Sequence, residues 1–162
     1  MATDNLGLLW LFKQKYGFSK VPSPEAYDGY IKSLLLCANG DGKLAPEERD
    51  WVVGFACAHG ASNSLVEELK SYEATEDIET VISVAVESDG SRRYLIYEAI
   101  QACSADGEYS DEERATVAKM AAKLGISTDV VKQIEELCME DAKLREKRLA
   151  LIDISKNSKV SQ

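Results

Sequence analysis

The sequence predicts an all-α fold, a single compact helical domain of about seven to eight helices built as two pseudo-symmetric repeats. Three observations carry this expectation. Apolar residues recur at three- and four-residue spacing, and no segment alternates apolar and polar side chains as a half-buried strand does. Capping residues and helix-stopping glycines punctuate the apolar runs. Shifting the numbering by 65 carries Asp41-Gly42 onto Asp106-Gly107, together with much of their surroundings.

The elements follow in order. Leu6, Leu8, Leu9, Trp10, Leu11 and Phe12 form a short opening helix that ends near Tyr16-Gly17, and a linker runs through Val21-Pro22. Amphipathic segments of this kind close a core more often than they dock a partner, although Trp10, Phe12 and Tyr16 are candidates for an exposed patch. Ser23 caps the next helix and Pro24 fills its first turn, where an N–H is not needed. Tyr27, Ile31, Leu34, Leu35 and Ala38 line its inner face until Asn39-Gly40 stops it. A loop from Asp41 to Ala45 leads to Pro46, which opens a helix bearing Val52, Phe55 and Ala56 and closing near Gly60. Ser64-Leu65-Val66-Glu67 reads as a capping box.

Thr75 begins a further helix with Ile78, Val81, Ile82 and Ala85 inward, and Asp89-Gly90 marks the turn that ends it. Another helix runs from about Ser91 to Ser104. Ser110-Asp111-Glu112-Glu113 is a second capping box, opening a helix with Val117, Met120, Ala121 and Leu124 that Gly125 stops. Ser127 caps a long final helix carrying Val131, Ile134, Leu137, Cys138, Leu144, Leu149 and Ile152. Its charges, Glu135, Glu140, Lys143, Arg145 and Lys147 among them, make a solvated face.

The repeat register pairs Ile31 with Ile96, Glu47 with Glu112, Glu48 with Glu113, Arg49 with Arg114, Ala56 with Ala121, Gly60 with Gly125, Ser62 with Ser127 and Val66 with Val131. The expected organisation is an N-terminal helical extension over 1–20, a helical domain over 21–154 with repeats at about 30–70 and 95–135, and a flexible polar tail over 155–162. At 162 residues the chain suits one domain whose two halves share a core.

A formal charge of −9 argues against nucleic acid, whose binding draws on cationic neutralisation. The apolar runs are far shorter than the roughly 20 residues that span a bilayer, so no direct membrane insertion is expected. With no secretory signal visible at Asp4 and beyond, a cytoplasmic location is expected. Cys37, Cys57, Cys103 and Cys138 are dispersed and read as packed, reduced thiols. His59, the one histidine, reads as a helix C-terminal residue suited to the free carbonyls there. With no phosphate loop or nucleophile elbow, enzymatic activity has little support.

The two Asp-Gly loops invite comparison with calcium-binding EF-hands. Placing Gly42 at the turn puts Asn39, Asp41 and Glu48 on ligand positions, and Ser104, Asp106, Tyr109 and Glu113 occupy the corresponding places in the second loop. Cys37 and Ala102 stand at the leading positions, where a hard oxygen ligand is needed, so a regular EF-hand is rejected. A weaker carboxylate site remains if Asp41, Glu48, Asp106 and Glu113 converge. The competing reading is that Asp-Gly is an ordinary turn and the glutamates cap helices.

Ala105-Asp106-Gly107-Glu108-Tyr109-Ser110-Asp111-Glu112-Glu113, followed by Ala121-Ala122-Lys123-Leu124-Gly125-Ile126-Ser127, resembles the signature of TerB-like tellurite-resistance domains. Asn39-Gly40-Asp41-Gly42-Lys43-Leu44-Ala45-Pro46-Glu47-Glu48 looks like its partner repeat, and the resemblance spans about Pro24 to Met139. It implies an all-helical domain of two related halves in proteins linked to tellurite and other stress responses, with acidic residues near helix starts that bind metal. Carried over by position, those residues are Asp41, Glu47, Glu48, Asp106, Glu112 and Glu113. The expected function is then that of a small acidic stress-response protein binding a divalent ion, calcium, magnesium, manganese or zinc, with a possible protein partner. The alternatives are an interaction scaffold whose acidic loops only cap helices, or a carrier of an apolar ligand.

Overall fold

A computed structural model describes residues 3–82 and 89–153. Among them the chain is wholly helical: α1 (Thr3–Tyr16), α2 (Pro24–Ala38), α3 (Pro46–Ala58), α4 (Asn63–Ser71), α5 (Ile78–Ile82), α6 (Asp89–Cys103), a 3-10 turn (Ser104–Asp106), α7 (Asp111–Lys123) and α8 (Thr128–Ile152). The centre is α2, which packs most heavily on α6 and also touches α3, α5 and α7. Ile31, Leu34 and Leu35 of α2 meet Leu95, Ile96 and Ala99 of α6, all fully buried. Each such aliphatic side chain contributes about 2 kcal/mol on leaving water. Val52, Phe55 and Ala56 of α3 and Val117, Met120 and Ala121 of α7 close the same core, with Phe12 of α1 and Val131 of α8 at its edges.

Most helix ends lie where local chemistry predicts them. Pro24 and Pro46 occupy first turns, and Ser110 and Ser127 cap α7 and α8 with their hydroxyls. Four expectations need correction. The cap of α4 is Ser62, whose hydroxyl accepts from the Leu65 amide at 3.2 Å, because the chain leaving α3 is already extended there; Ser64 lies inside the first turn. Ser23 stands at the cap of α2, but its side chain makes no capping bond. The helix expected from Thr75 starts at Ile78, where the Asp77 carboxylate accepts from the Glu79 amide at 2.8 Å. Asp89 and Gly90 are not the turn expected but the first residues of α6. Ala85 and the tail over 155–162 lie outside the described residues.

A further correction concerns α8. Val131, Ile134 and Cys138 pack against the body, but Leu137, Leu144, Leu149 and Ile152 are exposed, as is Leu151.

Candidate functional site

The two acidic loops have closely similar backbones. Gly42 (φ 77°) and Gly107 (φ 97°) adopt the left-handed conformation that a side chain would oppose. The aspartate before each glycine turns back on its own loop. Asp41 accepts from the Lys43 amide at 2.8 Å and Asp106 from the Glu108 amide at 2.9 Å. Both aspartates are exposed, as are Glu47 and Glu112 in the first turns of α3 and α7, where their charge favours the helix dipole.

Glu48 and Glu113, one residue further on, behave differently. Both are buried, at 1% and 4% exposure. Each turns back to the start of its own helix: Glu48 accepts from the Ala45 amide at 2.8 Å and Glu113 from the Ser110 amide at 2.7 Å. Around Ser110 the capping box is complete, whereas Ala45 has no side chain to return the bond. The two carboxyl groups, drawn from opposite loops, lie close enough to act on each other. Burial pushes the Glu48 carboxyl up to about 8, the Ala45 amide opposes that, and Glu113 and the nearby charge of Asp106 add to it. Glu48 therefore keeps its proton near neutral pH.

Gly40 makes the meeting possible. A Cβ placed there would stand 2.8 Å from the Glu113 Cα and 2.7 Å from the Thr116 hydroxyl, so only glycine lets the first loop abut the start of α7. Beneath the pair lie Cys37 and Cys103, both buried, with the Cys37 thiol 3.9 Å from the Met120 sulfur. Burial raises both thiols, and the adjacent glutamates raise them further, so neither is a thiolate. Cys57, expected to be packed, is exposed on the outer face of α3.

Of the six candidate residues, the fold thus joins Glu48 with Glu113 and brings Asp106 within range of their charge. Asp41, Glu47 and Glu112 face solvent elsewhere. Among the described residues, no three His, Cys, Asp or Glu side chains are grouped closely enough to hold a metal ion.

A second buried carboxylate, Glu98 of α6, escaped the sequence reading. It has no exposed surface and accepts from the hydroxyls of Tyr16 and Tyr30 at 2.5 Å each and from the Lys15 ammonium at 3.0 Å. Its signal was a glutamate set between Leu95, Ala99 and Ala102 on an apolar helix face. Tyr16 also contacts His59 Nε2 at 2.8 Å, while His59 Nδ1 donates to the Phe55 carbonyl at 2.8 Å. His59 does end α3, as expected, but as a neutral ring: burial first, and then Lys15, lower its pKa.

The sequence matches no family model and no curated protein. Among solved structures, a tellurite resistance protein from Nostoc punctiforme matches with a TM-score of 0.83 at 39% identity, over 94% of this chain and 96% of that one. Among the described residues, no helix is long and apolar enough to cross a membrane.

Proposed function

The chain belongs to the TerB-like family of tellurite-resistance proteins, and from that premise we propose that it serves a tellurite-type stress response by binding rather than by catalysis, taking up a divalent cation weakly at Glu48 and Glu113. The observation that supports this is the meeting of two buried glutamates, one from each acidic loop. In this reading the two loops are copies of one unit, and the pair marks the place where the copies touch.

Two close carboxylates, one of which keeps its proton, can exchange it for a dication, because either positive charge relieves their repulsion. Asp106, exposed and within electrostatic reach of Glu48, would have to move toward the pair to add a third carboxylate. Asp41, Glu47 and Glu112 keep their roles at the turn and the helix starts. Calcium, magnesium and manganese favour oxygen donors, calcium six to eight of them, and zinc accepts fewer. A site with two or three protein carboxylates leaves the rest to water, which sets the affinity low.

Calorimetric titration with calcium, magnesium, manganese and zinc chlorides, in two buffers of different ionisation enthalpy, tests this. One ion should bind with release of a proton, and Glu48→Gln/Glu113→Gln should abolish both the heat and the release. The proposal fails if none of the four ions binds wild type more tightly than that double variant.

A second reading, an interaction scaffold, is favoured by the exposed Leu144, Leu149, Leu151 and Ile152 of α8. It requires a partner that wild type and the glutamate double variant bind equally, and that Leu151→Lys loses.

A further inference from the structure

A cavity of about 700 Å³ opens beside the Glu98 network, between the end of α1, the Gly17–Ser23 connection, α2 and α6. Its walls are largely aromatic. Tyr16, Phe18 and Tyr94 form one bank, with Tyr16 stacked on Phe18 at 5.4 Å and edge-on to Tyr94 at 4.6 Å. Tyr27, Tyr30 and Phe55 supply the other. A ring inserted between such banks gains contact on both faces.

The charges around it cancel locally. Glu98 is matched by Lys15, whose ammonium also lies 4.8 Å from the centre of the Phe55 ring and 5.1 Å from that of Tyr16. The cationic place beside the carboxylate is therefore already taken by the chain itself. His59 on the same wall is neutral, and Lys20 at the rim is exposed, where solvent screens it. Among the described residues, neither an anion nor a cation finds an uncompensated charge inside.

One donor does stand open. The Tyr16 and Tyr30 hydroxyls donate to Glu98, and Tyr94 donates to the Lys15 carbonyl at 3.1 Å. The hydroxyl of Tyr27, a residue only 7% exposed, has no hydrogen-bond partner and is closed off from water. An unpartnered buried hydroxyl weakens a fold unless something else supplies the missing acceptor. The outer wall here is a connecting loop, which yields more readily than a helix, and a modest swing of the Tyr27 ring toward the cavity would bring its proton to an incoming acceptor.

We infer that this cavity binds a small uncharged molecule with an aromatic ring and a hydrogen-bond acceptor, seated between the two aromatic banks with Tyr27 as donor. No residue of the Glu48–Glu113 pair takes part, so this site stands or falls independently of the cation site.

The test uses four probes of similar size on the full chain, followed by amide chemical shifts up to each probe's solubility limit: acetophenone, ethylbenzene, benzoate and phenyltrimethylammonium. Acetophenone should bind saturably and most tightly, shifting amides at Gly17–Val21 and around Tyr27 and Tyr94. Tyr27→Phe should weaken acetophenone roughly fivefold, the worth of one hydrogen bond, and leave ethylbenzene unchanged. The same substitution should raise the melting temperature of the free protein, since it deletes a hydroxyl without a partner; this also shows that the variant folds. The Glu48→Gln/Glu113→Gln variant should bind acetophenone as wild type does. The inference is overturned if acetophenone shows no saturable binding, if either charged probe binds more tightly, or if Tyr27→Phe leaves acetophenone affinity unchanged.

Discussion

Replacing Glu48 with glutamine probes its retained proton directly. The folded protein holds the Glu48 carboxyl at about 8, whereas in the unfolded chain, solvated and away from Glu113, it titrates near about 4.3. Between those values the folded state keeps a proton that the unfolded state has released. The resulting stability is full below the unfolded value and is lost as pH rises through the folded one. The slope is about 1.4 kcal/mol per pH unit and flattens near the folded value, so the loss from pH 6 to pH 8 comes to about 2 kcal/mol. For a domain of this size that is about 4–8 °C in Tm. His59 has the opposite sign: its lowered pKa gives stability that is present above the unfolded value of about 6.5 and lost as pH falls below it. That contribution is common to both proteins and cancels in the comparison. In Glu48→Gln the side-chain carbonyl can still accept from Ala45 while the amide donates to Glu113, with no proton to lose. Urea unfolding at pH 6, 7 and 8 should show wild type losing stability across the range and Glu48→Gln staying nearly flat, the variant being the more stable at pH 8. Parallel pH profiles for the two proteins would refute the retained proton.

Three further outcomes are expected. Ser62→Ala should cost about 1 kcal/mol in urea unfolding while Ser64→Ala costs a few tenths, since only the former removes a cap from α4. Gly40→Ala should cost about 1–3 kcal/mol, because the added methyl meets the backbone of Glu113 and the Cys37 carbonyl at 3.0 Å or less; it should also part the two glutamates and flatten the wild-type pH profile. Tyr30→Phe should cost about 1.5–3 kcal/mol by thermal or urea unfolding, leaving the buried Glu98 one donor short.

Much of the architecture was legible because it rests on local chemistry. Pro24, Pro46, Ser110, Ser127 and the glycines after α1, α3 and α7 act within a few residues of themselves. Where the reading slipped, a nearby competitor won. Ser64 has the better capping-box pattern, yet Ser62 caps α4, and the repeat register, which aligns Ser62 with Ser127, already held that answer. Asp89-Gly90 has turn chemistry and became helix. The candidate site was legible only in part, since residue type does not report facing: Glu47 and Glu48 are equivalent on paper, but one helical step turns the first to water and the second to Glu113. Glu98 was hidden for a different reason. Its partners, Lys15, Tyr16 and Tyr30, come from two other helices, and no local pattern announces a long-range clamp.

That clamp has a consequence for how the chain is made. Tyr16 precedes Glu98 by 82 residues, so during synthesis α1 leaves the ribosome long before its anchoring carboxylate exists. Tyr16 must wait, without its carboxylate, until α6 has joined α2. Helix α1 thus gains this anchor only once α6 has emerged, and a nascent chain stalled before that point would present the Tyr16 ring to chaperones.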